Sequence, residues 1–228
     1  MEMNNKTQNA VWLMTTVVAI LAVVGVGSGI AHFLRGPTNP GFLEYPNLVK
    51  THAALGAVYL ALAPFQFLTR VRSRWIGYHR IAGRVLTSIG LVIGLSAIFI
   101  GLFIPFSGLP EQIIISIFGV FYVTSLVKGF LCIRSKKIAE HREWMIRAFS
   151  IGLSIATMRL VFIPALIFIG ADDATARTLS IVSFSITLPL HAVVAELWIR
   201  HTRKRTPVSA IDAAMAKGTL TSWLVGDT

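Results

Sequence analysis

The sequence predicts an all-α, polytopic membrane protein with six transmembrane helices, and three observations lead there. Hydrophobic residues make up 54% of the chain and charged residues only 14%. With a mean hydropathy of +0.70, that is more apolar surface than a soluble domain of this size hides. Six apolar runs reach the length, about 20 residues, that a helix needs to cross roughly 30 Å of hydrocarbon. One short pattern occurs twice, as Arg72-Ser-Arg-Trp-Ile-Gly-Tyr-His79-Arg80 and as Arg134-Ser-Lys-Lys-Ile-Ala-Glu-His141-Arg142, 62 residues apart. Each copy joins the end of one run to the start of the next. Position counts for more than the five identities in nine: it predicts a four-helix core built from a parallel duplicated helix hairpin, spans 2–3 and 4–5.

The runs fall at about 11–34, 48–69, 82–105, 112–133, 148–170 and 178–199, within one transmembrane domain over 1–200 that is followed by a basic tail, 201–228. In the first run, small residues from Gly25 to Gly29 resemble a signal cleavage region. Its 24 apolar residues exceed a signal core, and a single Lys precedes them, so a retained helix is expected. The second run carries a polar and small face: His52, Gly56, Tyr59, Ala63, Gln66 and Arg70 follow at steps of four and three. Such a face turns into a bundle rather than towards lipid. Pro64, just off it, loosens the local backbone ladder. Starting from His79, the third run aligns Gly83, Thr87, Gly90, Gly94, Ala97 and Gly101 in a shallow groove. The fourth ends at Cys132, the only cysteine, which excludes an intramolecular disulfide and a thiolate metal cluster. The fifth, starting from His141, aligns Met145, Ala148, Gly152, Ala156 and Arg159. Ala148, Gly152 and Ala156 are spaced for close helix packing. Two readings of these stripes stand open: helix packing, or space for a flat cofactor. Beyond Pro207, the tail is either disordered or a short helix lying on the membrane with Ile211, Met215 and Leu220 along one side.

Basic residues set the orientation. Arg70, Arg72, Arg74, Arg80 and Arg84 cluster after the second run, Arg134, Lys136, Lys137, Arg142 and Arg147 after the fourth, and Arg200, Arg203, Lys204 and Arg205 after the sixth. By the positive-inside rule, both termini and both His-Arg segments are cytoplasmic in a multi-pass protein of the cell inner membrane. The same asymmetry accounts for most of the +11 net charge. Anionic lipid headgroups are therefore the expected partners, and nucleic acid is not implied.

Arg159 lies twelve residues beyond Arg147, about 18 Å along a helix. A charge at that depth costs several kcal/mol unless it is paired or hydrated, and marks a candidate functional site. Its partner is either structural (backbone carbonyls, Tyr59 or Gln66) or a bound anionic group. Trp75 and Trp144 flank the two His-Arg pairs as interfacial anchors. His32 and His52 stand near the outer boundary, and His191 lies inside the sixth run just after Pro189. His79 and His141, made equivalent by the repeat, meet the equal-depth condition for two imidazoles sharing a haem iron. Arg84, Arg147 and Arg70 then supply partners for its propionates. The same histidines also suit helix ends that touch headgroups. The chain has no Gly-rich phosphate loop, no His-Glu-x-x-His and no Ser-His-Asp set.

At His52-Ala-Ala-Leu-Gly56, Gln66-Phe67, His79-Arg80-x-x-Gly83-Arg84, His141-Arg142-x-Trp144-Met145-x-Arg147 and Arg159-Leu160, the chain resembles an uncharacterised bacterial family of predicted multi-span membrane proteins. The resemblance covers about residues 50–160 and implies no activity. A looser similarity is to transmembrane b-type cytochromes, whose four-helix cores hold haem between histidines of alternate helices. It implies a role for His79 and His141 as one such pair. The fourth run has no histidine for a second pair, so a single haem b is implied at most.

The function expected is electron transfer: one haem b at His79 and His141, exchanging electrons with a quinone near His52, Tyr59, Gln66 and Arg159, where hydrogen-bonding groups stand in an apolar setting. The alternative is a non-catalytic protein that binds an anionic lipid or small carboxylate at Arg159, as a transporter, sensor or assembly factor. A structural subunit of a larger complex, or a homo-oligomer, is the third reading.

Overall fold

The computed structural model describes residues 5–35, 40–169 and 172–203. Their elements are α1 (Asn5–Arg35), α2 (Pro40–Leu43), α3 (Pro46–Leu62), a 3-10 turn (Ala63–Phe67), α4 (Thr69–Arg74), α5 (Ile76–Phe103), α6 (Leu109–Arg134), α7 (Ile138–Ile169) and α8 (Asp173–Arg203). Six helical segments are long and apolar enough to cross a membrane, the second being α3 together with the 3-10 turn. The chain is thus an all-α, multi-span membrane protein. The expected amphipathic segment beyond Pro207 lies outside the described residues.

Local chemistry sets the ends. Prolines open α3, the 3-10 turn and α6 at their first turns, where the missing N–H is no loss. Pro64 does more than loosen the second span: it converts the last turn of that span to 3-10 geometry. Gly108 precedes α6 at φ 76°, ψ −153°, a conformation open to glycine. Helices α5 and α7 start earlier than the apolar runs suggested, at Ile76 and Ile138. His79 and His141 therefore belong to first helical turns and not to loops. Each donates its backbone N–H four residues back, to Trp75 and Lys137, at 2.9 Å in both cases.

Helices α1, α3, α5, α6 and α7 form a ring, each packed on the next and α7 closing on α1, while α8 rests against α6 and α7. The four helices expected in the core, α3, α5, α6 and α7, are consecutive members of this ring. A fifth helix, α1, stands between α3 and α7. Two apolar clusters fill the interior, one of Leu21, Tyr59, Leu60, Leu86, Phe149 and Leu153, the other of Tyr122, Leu126, Ala148, Ile151 and Leu188. Large apolar residues such as Leu95, Ile117, Ile167 and Phe168 face outwards, as a lipid-facing surface requires.

The two ends of the bundle are held differently. Near the basic links, Arg147 of α7 binds Glu196 of α8 through two hydrogen bonds, 2.5 and 3.1 Å. Arg203 of α8 grips Glu143 of α7 in the same two-handed way. Arg142 adds a bond to Thr202 at 3.1 Å. At mid-height, Thr157 meets His191 Nε2 at 2.8 Å, and Ser150 donates to the His191 carbonyl at 2.8 Å. His191 is therefore a structural clamp between α7 and α8.

Close approach of α1 to α7 depends on Ala156, which is fully buried; a Cβ on Gly25 would come within 3.3 Å of it. An Ala156→Leu variant forces these helices apart, and the expected cost is about 1–3 kcal/mol. Thermal unfolding of the detergent-purified protein measures it against Ile167→Leu on the lipid face, which should melt like wild type. Equal melting of both variants would mean that α1 does not pack there.

Candidate functional site

In the half of the bundle remote from the basic links, a partly open cavity of about 260 Å³ lies inside the ring. The polar face of α3 supplies His52, Gly56 and Tyr59, α7 supplies Gly152 and Arg159, and α6 supplies Phe118 and Tyr122. Most of the remaining wall is aliphatic. A Cβ built at Gly56 meets nothing within 4 Å, so this glycine faces open space.

Arg159 is the unusual member. Its Nη1 donates to Ser28 Oγ of α1 at 2.5 Å, and the Ser28 hydroxyl donates onwards to the Gly25 carbonyl at 2.9 Å. Among the described residues, no carboxylate lies within 4.0 Å of this guanidinium. The four ion pairs join Lys137 to Glu140, Arg147 to Glu196, Arg177 to Asp173 and Arg203 to Glu143. The neutral partner is thus neither Tyr59 nor Gln66, the two side chains the sequence suggested. Opposite, His52 Nδ1 and Ser96 Oγ are 2.8 Å apart. Ser96 Oγ also lies 2.9 Å from the Ile93 carbonyl, to which it donates.

Beneath the cavity, the Tyr59 and Tyr122 rings stand edge to face with centroids 6.4 Å apart. Both press on Gly152, where a Cβ would meet each ring at 3.5 Å. The two side chains are close enough to interact, yet the geometry makes no hydrogen bond, and the Tyr122 hydroxyl is buried without a partner.

The groove read along the third span is filled by protein. A Cβ at Gly90 would meet Leu126, Tyr122 and Tyr59, at Gly94 Val123 and Tyr122, and at Gly101 Ile115. These glycines admit neighbouring side chains and leave no slot for a flat cofactor along α5. Gly83 faces Gln66, whose Oε1 is 3.5 Å from a Cβ there. Gln66 is therefore separated from His52, Tyr59 and Arg159. Both of its side-chain polar atoms are buried and unpartnered.

At the basic end, His79 and His141 stand close enough to act on each other electrostatically, with Arg72 and Arg80 beside His79. His141 Nδ1 is 2.8 Å from the Gly129 carbonyl. A carbonyl only accepts, so Nδ1 holds a proton. His79 Nδ1 is buried and unpartnered. A macrocycle between these two imidazoles would lie at the rim, because side chains fill the face of α5 at Gly90, Gly94 and Gly101. Among the described residues, no group of three or more His, Cys, Asp or Glu side chains gathers as a metal site. Of the three arginines expected around it, Arg70 and Arg84 are exposed, whereas Arg147 is committed to Glu196 and to the Trp144 ring, 4.6 Å from its centroid. Trp144 carries Lys128 at 4.6 Å as well. Nothing is described of the His32 side chain.

Sequence reasoning missed Ser28, Ser96 and Tyr122. A signal existed for the last: Tyr122, Ser125 and Gly129 are all buried on α6, at steps of three and four in an otherwise apolar run. Ser28 was hidden in a segment of small residues that looked like a cleavage region.

Comparison with curated proteins finds no match, and comparison with solved structures finds none. A family model described as "Predicted membrane protein (DUF2306)" matches residues 49–199, which take in α3 to α8 almost whole and every cavity residue outside α1 and α2. The chain belongs to this family of predicted membrane proteins.

Proposed function

We propose that this integral membrane protein binds a small amphipathic anion, a carboxylate or phosphate on an apolar body, in the cavity beside Arg159. The observation that carries this reading is the guanidinium in the cavity wall with a hydroxyl and no carboxylate beside it. A cation held inside a membrane costs several kcal/mol unless it is matched, and one neutral hydrogen bond matches it only in part. An anionic oxygen supplies charge-assisted bonds to the guanidinium, while the aliphatic wall receives the apolar body. At about 260 Å³, the space falls just below the usual small-molecule range of about 300–1,000 Å³. A headgroup or a ring fits it, and a longer tail extends into lipid. By the positive-inside rule, the basic end and both termini face the cytoplasm and the cavity lies in the opposite leaflet. A carrier, a sensor or an assembly factor would each use such a site.

Octanoate is therefore expected to raise the melting temperature of the purified protein by mass action, and octanol is not. Arg159→Gln should weaken octanoate by about tenfold or more, the loss of a charge-assisted pair. Gly56→Leu, which fills open space, should abolish the shift without lowering basal stability. Stabilisation by octanol equal to that by octanoate, or an undiminished response in Arg159→Gln, would remove the anion reading.

A second reading is favoured by the two imidazoles at the basic end, each near the start of its helix and within electrostatic reach of the other: electron transfer, with haem b held by His79 and His141 and a quinone in the cavity, its carbonyl oxygen against Arg159. A neutral quinone leaves the Arg159 charge uncompensated, which ranks this reading second. It predicts a Soret band in protein from haem-replete cells, lost in His79→Ala and in His141→Ala. A colourless preparation rules it out.

A further inference from the structure

We propose that a hydrated polar path runs along the small-residue face of α5, from His79 at the basic end to the cavity, and conducts protons between them. Among the described residues, five buried side-chain polar atoms lack any hydrogen-bond partner: Gln66 Nε2 and Oε1, His79 Nδ1, Ser107 Oγ and Tyr122 Oη. All except the Ser107 atom belong to side chains placed along one strip. His79 begins it, Gln66 stands at Gly83, and the Tyr122 hydroxyl comes within 3.0 Å of a Cβ at Gly90. Thr87 fills the interval with a hydroxyl bonded to the Gly83 carbonyl at 2.8 Å. Steps of four, four and three residues keep positions 79, 83, 87 and 90 on one helix face, about 16 Å from first to last. Tyr122, 5% exposed, then hands over to Tyr59 and to the cavity that both line.

Unpaired buried polar atoms are costly, and water that bonds to them is the usual remedy. One such atom calls for one water. A file of them between solvent and a cavity calls for a chain of waters, and imidazole and hydroxyl groups both give and accept protons. Side chains of α3 and α6 press against Gly90 and Gly94 and bar larger solutes, and among the described residues no group of three or more His, Cys, Asp or Glu side chains gathers to hold a metal cation. In the transfer, a proton joins the first acceptor at the basic end. Each water or hydroxyl O–H and imidazole N–H then passes its own proton to the next acceptor, and one proton leaves on the cavity side. Every bond broken is matched by one formed, and no electron moves.

The path is independent of what fills the cavity, and its test uses no ligand, so its failure leaves the anion reading in place. The full chain is reconstituted in phosphatidylcholine vesicles containing a pH-sensitive dye, and a potassium diffusion potential, negative inside, is imposed with valinomycin. Wild-type vesicles should acidify several-fold faster than empty ones. Gln66→Leu, which removes an amide that anchors water, and Tyr122→Phe, which removes a relay hydroxyl, should each slow the excess flow by about tenfold, as a broken path raises the barrier; Thr87→Val should slow it as well. Ser107→Ala, which removes the unpaired hydroxyl off the strip, should keep the wild-type rate. Replacing an unpaired buried polar group by an apolar one of similar shape is neutral or stabilising, so melting temperatures at or above wild type certify the variants as folded. A wild-type rate equal to that of empty vesicles, or wild-type flow in Gln66→Leu and Tyr122→Phe, overturns the proposal.

Discussion

Hydrocarbon offers no hydrogen bonds, so every polar group inside this bundle depends on the protein, or on what the protein admits, for a partner. The chain holds 21 Lys and Arg against 10 Asp and Glu, and it uses its few acids sparingly. Glu143 and Glu196 tie α7 to α8 at the basic end, Glu140 pairs with Lys137 just before α7, Asp173 pairs with Arg177 within α8, and the Glu111 carboxylate accepts the Ser107 N–H at the start of α6. Each stands near a helix end, where water and headgroups share the cost. None stands at the depth of Arg159. The guanidinium that most needs a counter-charge is thus the one left with a serine.

Small residues serve three ends here that one periodic pattern cannot tell apart. Gly25 and Gly29 let α1 approach α3 and α7, with backbone and side-chain atoms crowding any added Cβ. Gly90 and Gly152 give way to the Tyr59 and Tyr122 rings, and Gly56 borders open space. A stripe at helical spacing tells which face of a helix is turned inwards. What the opposite helix brings to that face depends on its register, which is tertiary.

This boundary explains what was legible. Span number and the inward face of α3 followed from hydropathy and period, and depth alone brought His52, Tyr59 and Arg159 to a common cavity. Gln66 shares that face in sequence but stands elsewhere, because Pro64 tightens the chain into a 3-10 turn and the residue ends against Gly83. Arg147 looked available until α8 was packed beside α7, when Glu196 fell opposite it. Ser28 gave no periodic signal, since a single hydroxyl in a small-residue segment gains meaning only from the arginine across the interface.

The offset of 62 residues that relates the two His-Arg segments also relates the walls of the cavity. Ala53 and Ile115, Ala57 and Gly119, and Leu60 and Tyr122 all line it, as do Ile93 and Ile155, and Ala97 and Arg159. Gly90 and Gly152, at the same offset, touch the tyrosine pair from two sides. A two-fold-related pair of hairpins would place its shared space across its axis in this manner. The polar groups break the symmetry: Arg159 answers Ala97, Tyr122 answers Leu60, and His52 answers Ile114. With one cation on α7 and one imidazole on α3, the wall of the cavity is polar on two sides that the 62-residue offset does not relate.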